Sequence, residues 1–140
     1  MRPSAVLEAV LYAVDLEAVR RFYTEVLGLT LHHADRRQVF LRCGEQMVLI
    51  FDPQVTAAEP SSVGGAPIPL HGARGPGHLA LRVDQDQRDR WRAHLEQRNI
   101  AIESEVDWPG GGWSLYTRDP AGNSVELATA SLWHRPDTPG

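Results

Sequence analysis

A strand, helix, strand, strand, strand pattern occurs twice in this chain of 140 residues, and the repeat limits the fold more than any other feature. In the first half, the apolar segment from Val6 to Val14 predicts a strand. Asp15 then predicts a helix cap and Gly28 the end of that helix. Three further strands are predicted in LTLHHA, QVFLRCG and QMVLIF, which completes a βαβββ unit.

The second half repeats the order of the first. HLALRV, residues 78–83, predicts a strand, and Asp84 or Asp86 predicts the cap of the helix that follows. Asn99 predicts a left-handed residue at the end of that helix. The last three strands are predicted in IAIESEV, WSLYTR and NSVELA. A duplicated unit of this size indicates one ancestral βαβββ element present twice.

The two halves can be aligned residue by residue. The alignment pairs Glu8 with His78, Phe40 with Tyr116, Arg42 with Arg118 and Ile50 with Glu126. Each half alone is too short to bury much apolar surface, so each unit is expected to need the other unit or a partner chain.

We therefore predict an α+β fold made of two tandem βαβββ units within a single domain, residues 1–140. The first unit is predicted at residues 5–52, a Pro/Gly-rich linker loop at 53–77, and the second unit at 78–130. The linker exceeds the ~4–6 residues of a usual connection. A linker of this reach allows the second unit to pair with another subunit, which predicts a homodimer.

Composition excludes several function classes. A net charge of -4 and a pI near 5.8 argue against a nucleic-acid surface or a basic membrane patch. All basic residues are arginine, which excludes Schiff-base chemistry on lysine. Glu8 and Asp15 interrupt the apolar N-terminal segment, so no signal sequence or membrane span is predicted. A single cysteine, Cys43, is consistent with a reducing cytoplasm.

A carboxylate lies inside the apolar run of the last predicted strand. Strand side chains alternate, so Glu126 shares a face with Ser124 and Ala128 while the apolar residues between them point the other way. The same alternation puts His78 and Glu8 on the more polar faces of their strands. If the strands curve, these three ionisable side chains converge in a concave cavity.

Two carboxylates and one imidazole suit a divalent metal ion with positions open for water or substrate. A simpler interpretation remains for each residue. Glu126 could pair with an arginine, His78 could be a hydrogen-bonded core histidine, and Glu8 could be solvated near the chain end. Residue types alone do not decide between a metal site and these structural roles.

The motifs DLEAVRRFYTEVLGL, GPGHLALRV and RDPAGNSVEL together resemble the vicinal oxygen chelate superfamily, which includes glyoxalases, bleomycin-resistance proteins, fosfomycin-resistance enzymes and extradiol dioxygenases. The resemblance extends from Val6 to about Ala128. It implies that each unit curls into a half-barrel around a cavity. It also implies a divalent metal, Fe, Mn, Ni, Zn or Mg, held by Glu8, His78 and Glu126.

The resemblance is incomplete at two of the metal-binding positions. The residue at the Glu8 position is often His in this family, with Gln or Glu in some members. Ile50 aligns with the position where glyoxalase I members place a fourth protein ligand, and Ile cannot bind metal. Extradiol dioxygenases typically use two His and one Glu, so a second histidine would have to come from elsewhere, such as His71.

Further residues are candidates for binding a substrate. Arginines suit an anionic group such as a carboxylate or phosphonate, although each could instead form a structural salt bridge. The arginines are Arg42, Arg82 and Arg118. His71, in PLHGARGPGH, is predicted either to close over the pocket or to be solvated. Trp113 in WPGGGW, together with Tyr116, is predicted to line an apolar pocket, and the hairpin could equally plug the barrel mouth.

The function predicted from these features is a divalent-metal-dependent enzyme acting on a small oxygenated molecule, with lyase or isomerase chemistry favoured. Glu126 or Glu8 would act as the catalytic base if it does not bind the metal. One alternative is a metal-free protein that binds an antibiotic or metabolite, as bleomycin-resistance proteins do. Another alternative is an extradiol-type dioxygenase. Neither nucleic acid nor membrane is expected as a partner.

Overall fold

The computed structural model describes residues 1–133. These residues form two compact units. The first comprises Met1–Gly77 together with Pro120–Asn123, and the second comprises His78–Asp119 together with residues 124–133. Each unit contains one four-stranded sheet with the same strand order, so the α+β fold of tandem βαβββ units is confirmed.

The first unit follows the predicted order of elements. Its elements are β1 (Glu8–Tyr12), α1 (Leu16–Arg21) continuing as one π-helical stretch (Phe22–Val26), β2 (Thr30–Ala34), β3 (Gln38–Cys43) and β4 (Gln46–Phe51). The strand order in the sheet is β1-β4-β3-β2, with β1 parallel to β4. Asp15 caps α1 as predicted, since its carboxylate accepts the backbone N–H of Ala18 at 3.0 Å. Gly28 ends the helical segment with a φ of 74°.

The core of the first unit lies between α1 and one face of the sheet. Leu11 on β1 lies opposite Ile50 on β4, and both are buried. Val19 and Tyr23 of the helical segment are fully buried, and α1 contacts β3. Glu8 points to the other face because it is three positions from Leu11 along a strand.

The segment predicted as a linker loop is folded. It contains a short helix, α2 (Pro53–Thr56), and a small hairpin formed by β5 (Ser61–Val63) and β6 (Ala66–Ile68). Asp52 caps α2 by accepting the backbone N–H of Gln54 at 2.9 Å. Sequence reasoning missed these elements because three-residue strands carry too few positions to show a period.

The second unit has the same topology as the first. Its elements are β7 (His78–Val83), a 3₁₀ turn (Gln85–Gln87), α3 (Arg88–Gln97), β8 (Ser104–Asp107), β9 (Trp113–Arg118), β10 (Ser124–Thr129) and a final 3₁₀ turn (Ala130–Trp133). The strand order is β7-β10-β9-β8, with β7 parallel to β10. Asn99 has a φ of 54°, so the predicted left-handed end of α3 is confirmed.

Two predictions about the second unit are wrong. Neither Asp84 nor Asp86 caps α3, because the 3₁₀ turn precedes the helix and Gln87 occupies the N-cap position without a side-chain capping bond. The Asp84 carboxylate instead accepts the side-chain amide of Gln87 at 3.0 Å. The predicted strand IAIESEV also begins late, at Ser104.

The strand registers correct the alignment of the two halves. Met47 lies opposite both Glu8 and Arg42, just as Ser124 lies opposite both His78 and Arg118. The residue two positions further on is Leu49 in the first unit and Glu126 in the second. Leu49, and not Ile50, is therefore equivalent to Glu126. The error arose because the connection between the last two strands is one residue shorter in the first unit. Leucine provides no metal ligand either.

An ion-pair network joins α3 to β8. The guanidinium of Arg92 lies 2.7 Å from the carboxylate of Glu105, and that of Arg88 lies 3.1 Å from the same carboxylate and 2.5 Å from Asp107. The hydrogen bond from Arg92 is the main cause that lowers the pKa of Glu105 to about 2. Because Arg88 and Arg92 belong to α3, these contacts show that α3 covers the sheet face on which Glu105 lies.

Each helix within residues 1–133 falls short of the length and hydrophobicity that a membrane-spanning helix requires.

Candidate active site

The face of the second sheet opposite α3 collects the polar side chains. Glu126 on β10 lies between Tyr116 on β9 and Ala80 on β7, and Ser124 lies between Arg118 and His78. Residues opposite one another in a sheet share a face. All of these residues except Ala80 therefore present a polar side chain to the same side of the sheet. The apolar residues Val125 and Leu127 point to the helix side and are buried.

His78 and Glu126 form a close pair on this face. Nε2 of His78 lies 3.2 Å from Oε2 of Glu126, and the side chains are 52% and 8% exposed. Nδ1 of His78 lies 3.1 Å from the backbone carbonyl oxygen of Ser124 and 3.2 Å from its hydroxyl oxygen. It can therefore donate to the carbonyl or accept from the hydroxyl. Nε2 is satisfied in one of two ways: it carries a proton and donates to Glu126, or it carries none and shares a bound cation with that carboxylate.

The distance between the two atoms fits a shared metal ion. Donor atoms that each lie ~2.1 Å from one ion are about 3.0 to 3.4 Å apart in tetrahedral or octahedral geometry. A metal-binding histidine also usually donates its second ring N–H to a carbonyl or carboxylate, and the carbonyl oxygen of Ser124 lies 3.1 Å from Nδ1 of His78. An imidazole nitrogen and a carboxylate suit Zn²⁺, Mn²⁺, Fe²⁺ or Ni²⁺. The pair therefore fits part of a divalent metal site.

A hydrogen-bonded relay holds the other oxygen of Glu126. The hydroxyl of Ser114 donates to Oε1 of Glu126 at 2.5 Å, and the indole N–H of Trp108 donates to that hydroxyl oxygen at 2.8 Å. Ser114 is fully buried. Each polar atom of the relay has a partner, so Glu126 is held in one orientation with Oε2 directed at His78.

Sequence reasoning missed Ser114 and Trp108. Ser114 precedes Tyr116 by two positions in WSLYTR and therefore shares its face, which is the signal that could have revealed it. Trp108 belongs to the WPGGGW hairpin, which its backbone N–H closes on the carbonyl of Gly112 at 2.8 Å. Its role depends on the fold of that turn, which composition does not specify.

Tyr116 lies beside the pair. Its ring is nearly parallel to that of His78, with centroids 6.3 Å apart. Burial, and then the hydrogen bond and charge of Glu126, raise the pKa of Tyr116 above its usual value of 10. The phenol is therefore neutral at physiological pH and can donate a hydrogen bond to an oxygen on this face.

The other predicted substrate residues of the second unit lie in different environments. Trp113 is buried on the helix side, where its indole donates to the carbonyl of Gln85 at 2.9 Å, so it does not share the face of Glu126. Arg118 forms a salt bridge with Glu103 at 2.6 Å. Arg82 lies opposite Ala128, so it is on the Glu126 face, and it is exposed.

The first unit carries the remaining predicted residues. Glu8 and Arg42 both lie opposite Met47, so they share one face, and both are exposed. The ring of His71 packs edge-on against Phe51, with centroids 4.6 Å apart, and its Nδ1 lies 2.8 Å from the hydroxyl of Tyr12. Tyr12 and Phe51 lie opposite each other on the Glu8 face, so His71 covers one end of that face.

Among the residues up to Trp133, no group of three or more His, Cys, Asp or Glu side chains is assembled to hold a metal ion. His78 and Glu126 are brought together within the second unit, and Glu8 belongs to the first. The structure places two of the three predicted ligands, His78 and Glu126, next to each other. The full set with Glu8 stays a prediction.

Comparison with known proteins identifies the family. The model of the glyoxalase/bleomycin resistance protein/dioxygenase superfamily matches residues 5–127. The chain belongs to this superfamily. The resemblance inferred from the sequence motifs is thus confirmed.

Two of the proteins to which the chain is similar are named as enzymes. A crystal structure of lactoylglutathione lyase from Agrobacterium tumefaciens is 42% identical, covers 96% of this chain and 100% of that one, and superposes with a TM-score of 0.86. The glutathione transferase FosA of Serratia marcescens is 27% identical over 118 residues, 84% of this chain and 75% of that protein. The fosfomycin resistance protein FosX of Mesorhizobium loti, 20% identical over 94% of this chain and 96% of its own with a TM-score of 0.63, shares the fold.

Proposed function

We propose that this superfamily member is a divalent-metal-dependent enzyme of the lyase or isomerase type that acts on a small oxygenated molecule. The observation that carries the proposal is the pair of His78 Nε2 and Glu126 Oε2, 3.2 Å apart, each held by a second contact of its own. Superfamily members typically bind divalent metals and small-molecule substrates. Glu8 is proposed as the third ligand or as a base.

In this proposal, different residues bind the metal ion and orient its ligands. A metal ion bound by His78 and Glu126 would supply Lewis-acid stabilisation of charge on neighbouring substrate oxygens. Ser114 fixes the orientation of Glu126, and Ser124 contacts Nδ1 of His78 and so orients its ring. Tyr116 keeps its phenolic proton, and its hydrogen bond to Glu126 helps to hold that carboxylate in place.

Binding of an anionic part of the substrate is assigned to the exposed arginines on the two polar faces. Arg82 serves this role in the second unit and Arg42 in the first, since both are exposed and lie on the faces of Glu126 and Glu8. Arg118 and Trp113 are weaker candidates because one already pairs with Glu103 and the other is buried on the helix side. His71 is proposed to close over one end of the Glu8 face.

A glutathione conjugate is the substrate class to test first. The names of two relatives, lactoylglutathione lyase and glutathione transferase FosA, share glutathione. The lyase is the stronger guide because it is 42% identical over nearly the whole chain. We also propose a cytoplasmic location, which is consistent with the single cysteine. The protein is further proposed to be a homodimer.

A metal-free binding protein is the second candidate, and a specific feature favours it. An imidazolium at His78 would satisfy the buried Glu126 carboxylate without any metal. The pair would then be structural, and the protein would bind an antibiotic or metabolite without converting it. An extradiol-type dioxygenase would require iron specifically, so the identity of a bound metal also tests that alternative.

Metal content after loading decides between these candidates. The protein is loaded separately with Fe, Mn, Ni, Zn and Mg, dialysed, and measured by mass spectrometry. One metal is expected to remain near one per chain, and to be lost in both His78→Ala and Glu126→Gln. His32→Ala is the matched control, because His32 is an exposed strand histidine of the first unit.

Circular dichroism of each variant checks that folding is retained. Wild-type metal content in the folded His78→Ala and Glu126→Gln variants would contradict the metal site, and absence of metal from the wild type in every loading would favour the binding protein. Conversion of lactoylglutathione by the loaded enzyme, abolished by Glu126→Gln, would assign the lyase activity.

A further inference from the structure

The first unit contains a cavity whose lining includes neither His78 nor Glu126. Its volume is about 820 Å³, within the range of small-molecule sites. Every residue that lines it belongs to the first unit. It lies at the end of β1, where Tyr12 and Asp15 contribute to the wall, and α2 contributes Gln54 and Pro53.

One wall of the cavity is a segment held at both ends, residues 71–77. At one end, the backbone N–H of His71 donates to the carbonyl of Thr56 at 3.1 Å, and its ring bonds to the hydroxyl of Tyr12 at 2.8 Å. At the other end, the backbone N–H of Gly77 donates to the side-chain oxygen of Asn123 at 2.7 Å. Both ends of the segment are therefore fixed, which limits the backbone conformations available to residues 72–76.

Close packing and backbone geometry restrict the conformation of this segment further. A Cβ atom at Gly72 would lie 3.1 Å from the Cβ of Ala57, and one at Gly77 would lie 3.0 Å from Leu11. Gly75 has a φ of 83°, which a residue with a side chain adopts only with strain. Pro76 adds a fixed φ of its own. A wall built this way is largely preformed, which reduces the entropy lost when a ligand binds.

Arg74 is at the centre of the segment and contributes to the cavity wall. Within the part of the chain that the structure describes, no hydrogen bond or ion pair is made by its guanidinium. Several other arginines of the described residues have a carboxylate partner instead: Arg20, Arg21, Arg36, Arg88, Arg92 and Arg118. Asp15, the one acidic residue of the wall, already uses a carboxylate oxygen to cap α1.

We infer that this cavity binds a small organic molecule that carries a carboxylate on a compact apolar body. The guanidinium of Arg74 presents paired N–H donors that match a carboxylate. Most of the remaining wall is apolar or small, including Pro53, Ala57 and Pro76, and suits a body such as an aromatic ring. The inference uses only residues of the first unit and holds whether or not the second unit binds a metal.

Benzoate is the probe, and its uncharged analogue benzamide is the comparison. Benzoate is titrated into ¹⁵N-labelled protein and the backbone amide signals are followed by NMR. Saturable shifts are expected at Ala13 to Asp15, Gln54, and Gly72 to Gly75. Arg74→Gln is expected to weaken binding about tenfold, the effect of losing one charge-assisted hydrogen-bonded pair. Benzamide is expected to bind about tenfold more weakly than benzoate.

Arg21→Gln is the charge-matched control, because Arg21 is an exposed arginine on α1 that does not line the cavity. It should bind benzoate as the wild type does. Gln54→Trp tests the cavity itself, since a larger side chain at this lining position reduces its volume while Arg74 is kept, and it should also weaken binding. Gln54 is exposed, so this change does not disturb the core.

Four results would overturn the inference. They are the absence of saturable shifts at the cavity amides, equal benzoate affinity in Arg74→Gln and wild type, equal affinity for benzamide and benzoate, and unchanged affinity in Gln54→Trp. The last would mean that benzoate meets Arg74 outside the cavity.

Discussion

Nε2 of His78 lies 3.2 Å from Oε2 of Glu126, and the two residues reach each other across the parallel pair of β7 and β10. The register puts Ser124 opposite His78, and Glu126 is the next residue of β10 on that face. A carboxylate as buried as Glu126 needs hydrogen-bond donors or a positive partner, because removing its charge from water costs several kcal/mol. Whether Oε2 is held by a proton on Nε2 of His78 or by a metal ion decides whether the face is structural or catalytic.

Ser114→Ala should weaken both the fold and the proposed metal site. The change removes the donor to Oε1 of Glu126 and leaves the indole N–H of Trp108 without its acceptor. The free energy of unfolding should fall by about 1–3 kcal/mol, measured by urea denaturation. Metal affinity, measured by competition with a chelator, should fall about 10- to 100-fold because the ligand loses its orienting contact.

Ser104→Ala is the matched control for that experiment. Ser104 lies opposite Tyr116 on the same face of the sheet but is exposed. Its stability and metal affinity should equal those of the wild type. Equal stability of Ser114→Ala and Ser104→Ala would show that the relay does not support Glu126.

The ionisation of Tyr116 should report the charge on Glu126. Burial and the neighbouring carboxylate raise its pKa above 10, so the folded protein holds the phenolic proton more tightly than the unfolded chain. Stability contributed by this group is therefore complete below pH 10 and is lost as the pH rises further. Glu126→Gln should move the pKa of Tyr116 partly back towards 10, because burial remains.

That shift can be measured from the ultraviolet absorbance of tyrosinate during alkaline titration. Subtracting the titration of Tyr116→Phe isolates this residue from the other two tyrosines. An unchanged pKa of Tyr116 in Glu126→Gln would mean that burial alone causes the shift.

Glutamate substitutions at two adjacent positions should separate the two faces of β4. Ile50 is fully buried opposite Leu11 on the core face, so Ile50→Glu should cost several kcal/mol and prevent stable folding. Leu49 lies opposite Val10, which is 41% exposed, on the face of Glu8. Leu49 is 7% exposed, and Leu49→Glu should be less destabilising than Ile50→Glu because the neighbouring Val10 is open to water, so the carboxylate has a short path to solvent.

Thermal denaturation followed by circular dichroism compares the two variants. Leu49→Gln and Ile50→Gln separate the effect of charge from that of lost packing. A larger loss of stability in Leu49→Glu than in Ile50→Glu would contradict the corrected register.

Acid sensitivity should depend on Glu105. Arg92 and Arg88 hold its pKa at about 2, below the ordinary value of 4.5, so the folded state binds this proton more weakly than the unfolded chain. The stabilisation is present above pH 4.5 and is lost as the pH falls towards 2. Glu105→Gln should lower the unfolding free energy by about 1 kcal/mol at pH 7, the scale of an exposed ion-pair network.

Urea denaturation across that pH range is the measurement. The difference between Glu105→Gln and the wild type should shrink as the pH falls from 4.5 to 2. Glu45→Gln, an exposed turn residue, is the control and should leave the profile unchanged. A difference that stays constant with pH would show that the ion pairs do not cause it.

Local chemistry explains which parts of the fold could be predicted. The cap at Asp15, the left-handed residue at Asn99 and the strand HLALRV each depend on a few adjacent residues, and all three are found as predicted. The predicted cap of α3 failed because the preceding 3₁₀ turn uses Asp84 differently. Ile50 was misaligned because the turn lengths of the two units differ by one residue.

Periodicity and short motifs are encoded by neighbouring residues, so the amino-acid sequence was enough to predict the duplication, the type of most elements and the superfamily. It also determined that Glu126 shares a face with Ser124, since alternation along a strand is local. Only the tertiary structure showed that Ser114 holds Glu126, that Leu49 is its counterpart, and that Arg74 lines a preformed cavity. These relationships depend on strand register and on contacts between distant segments, which folding alone brings together.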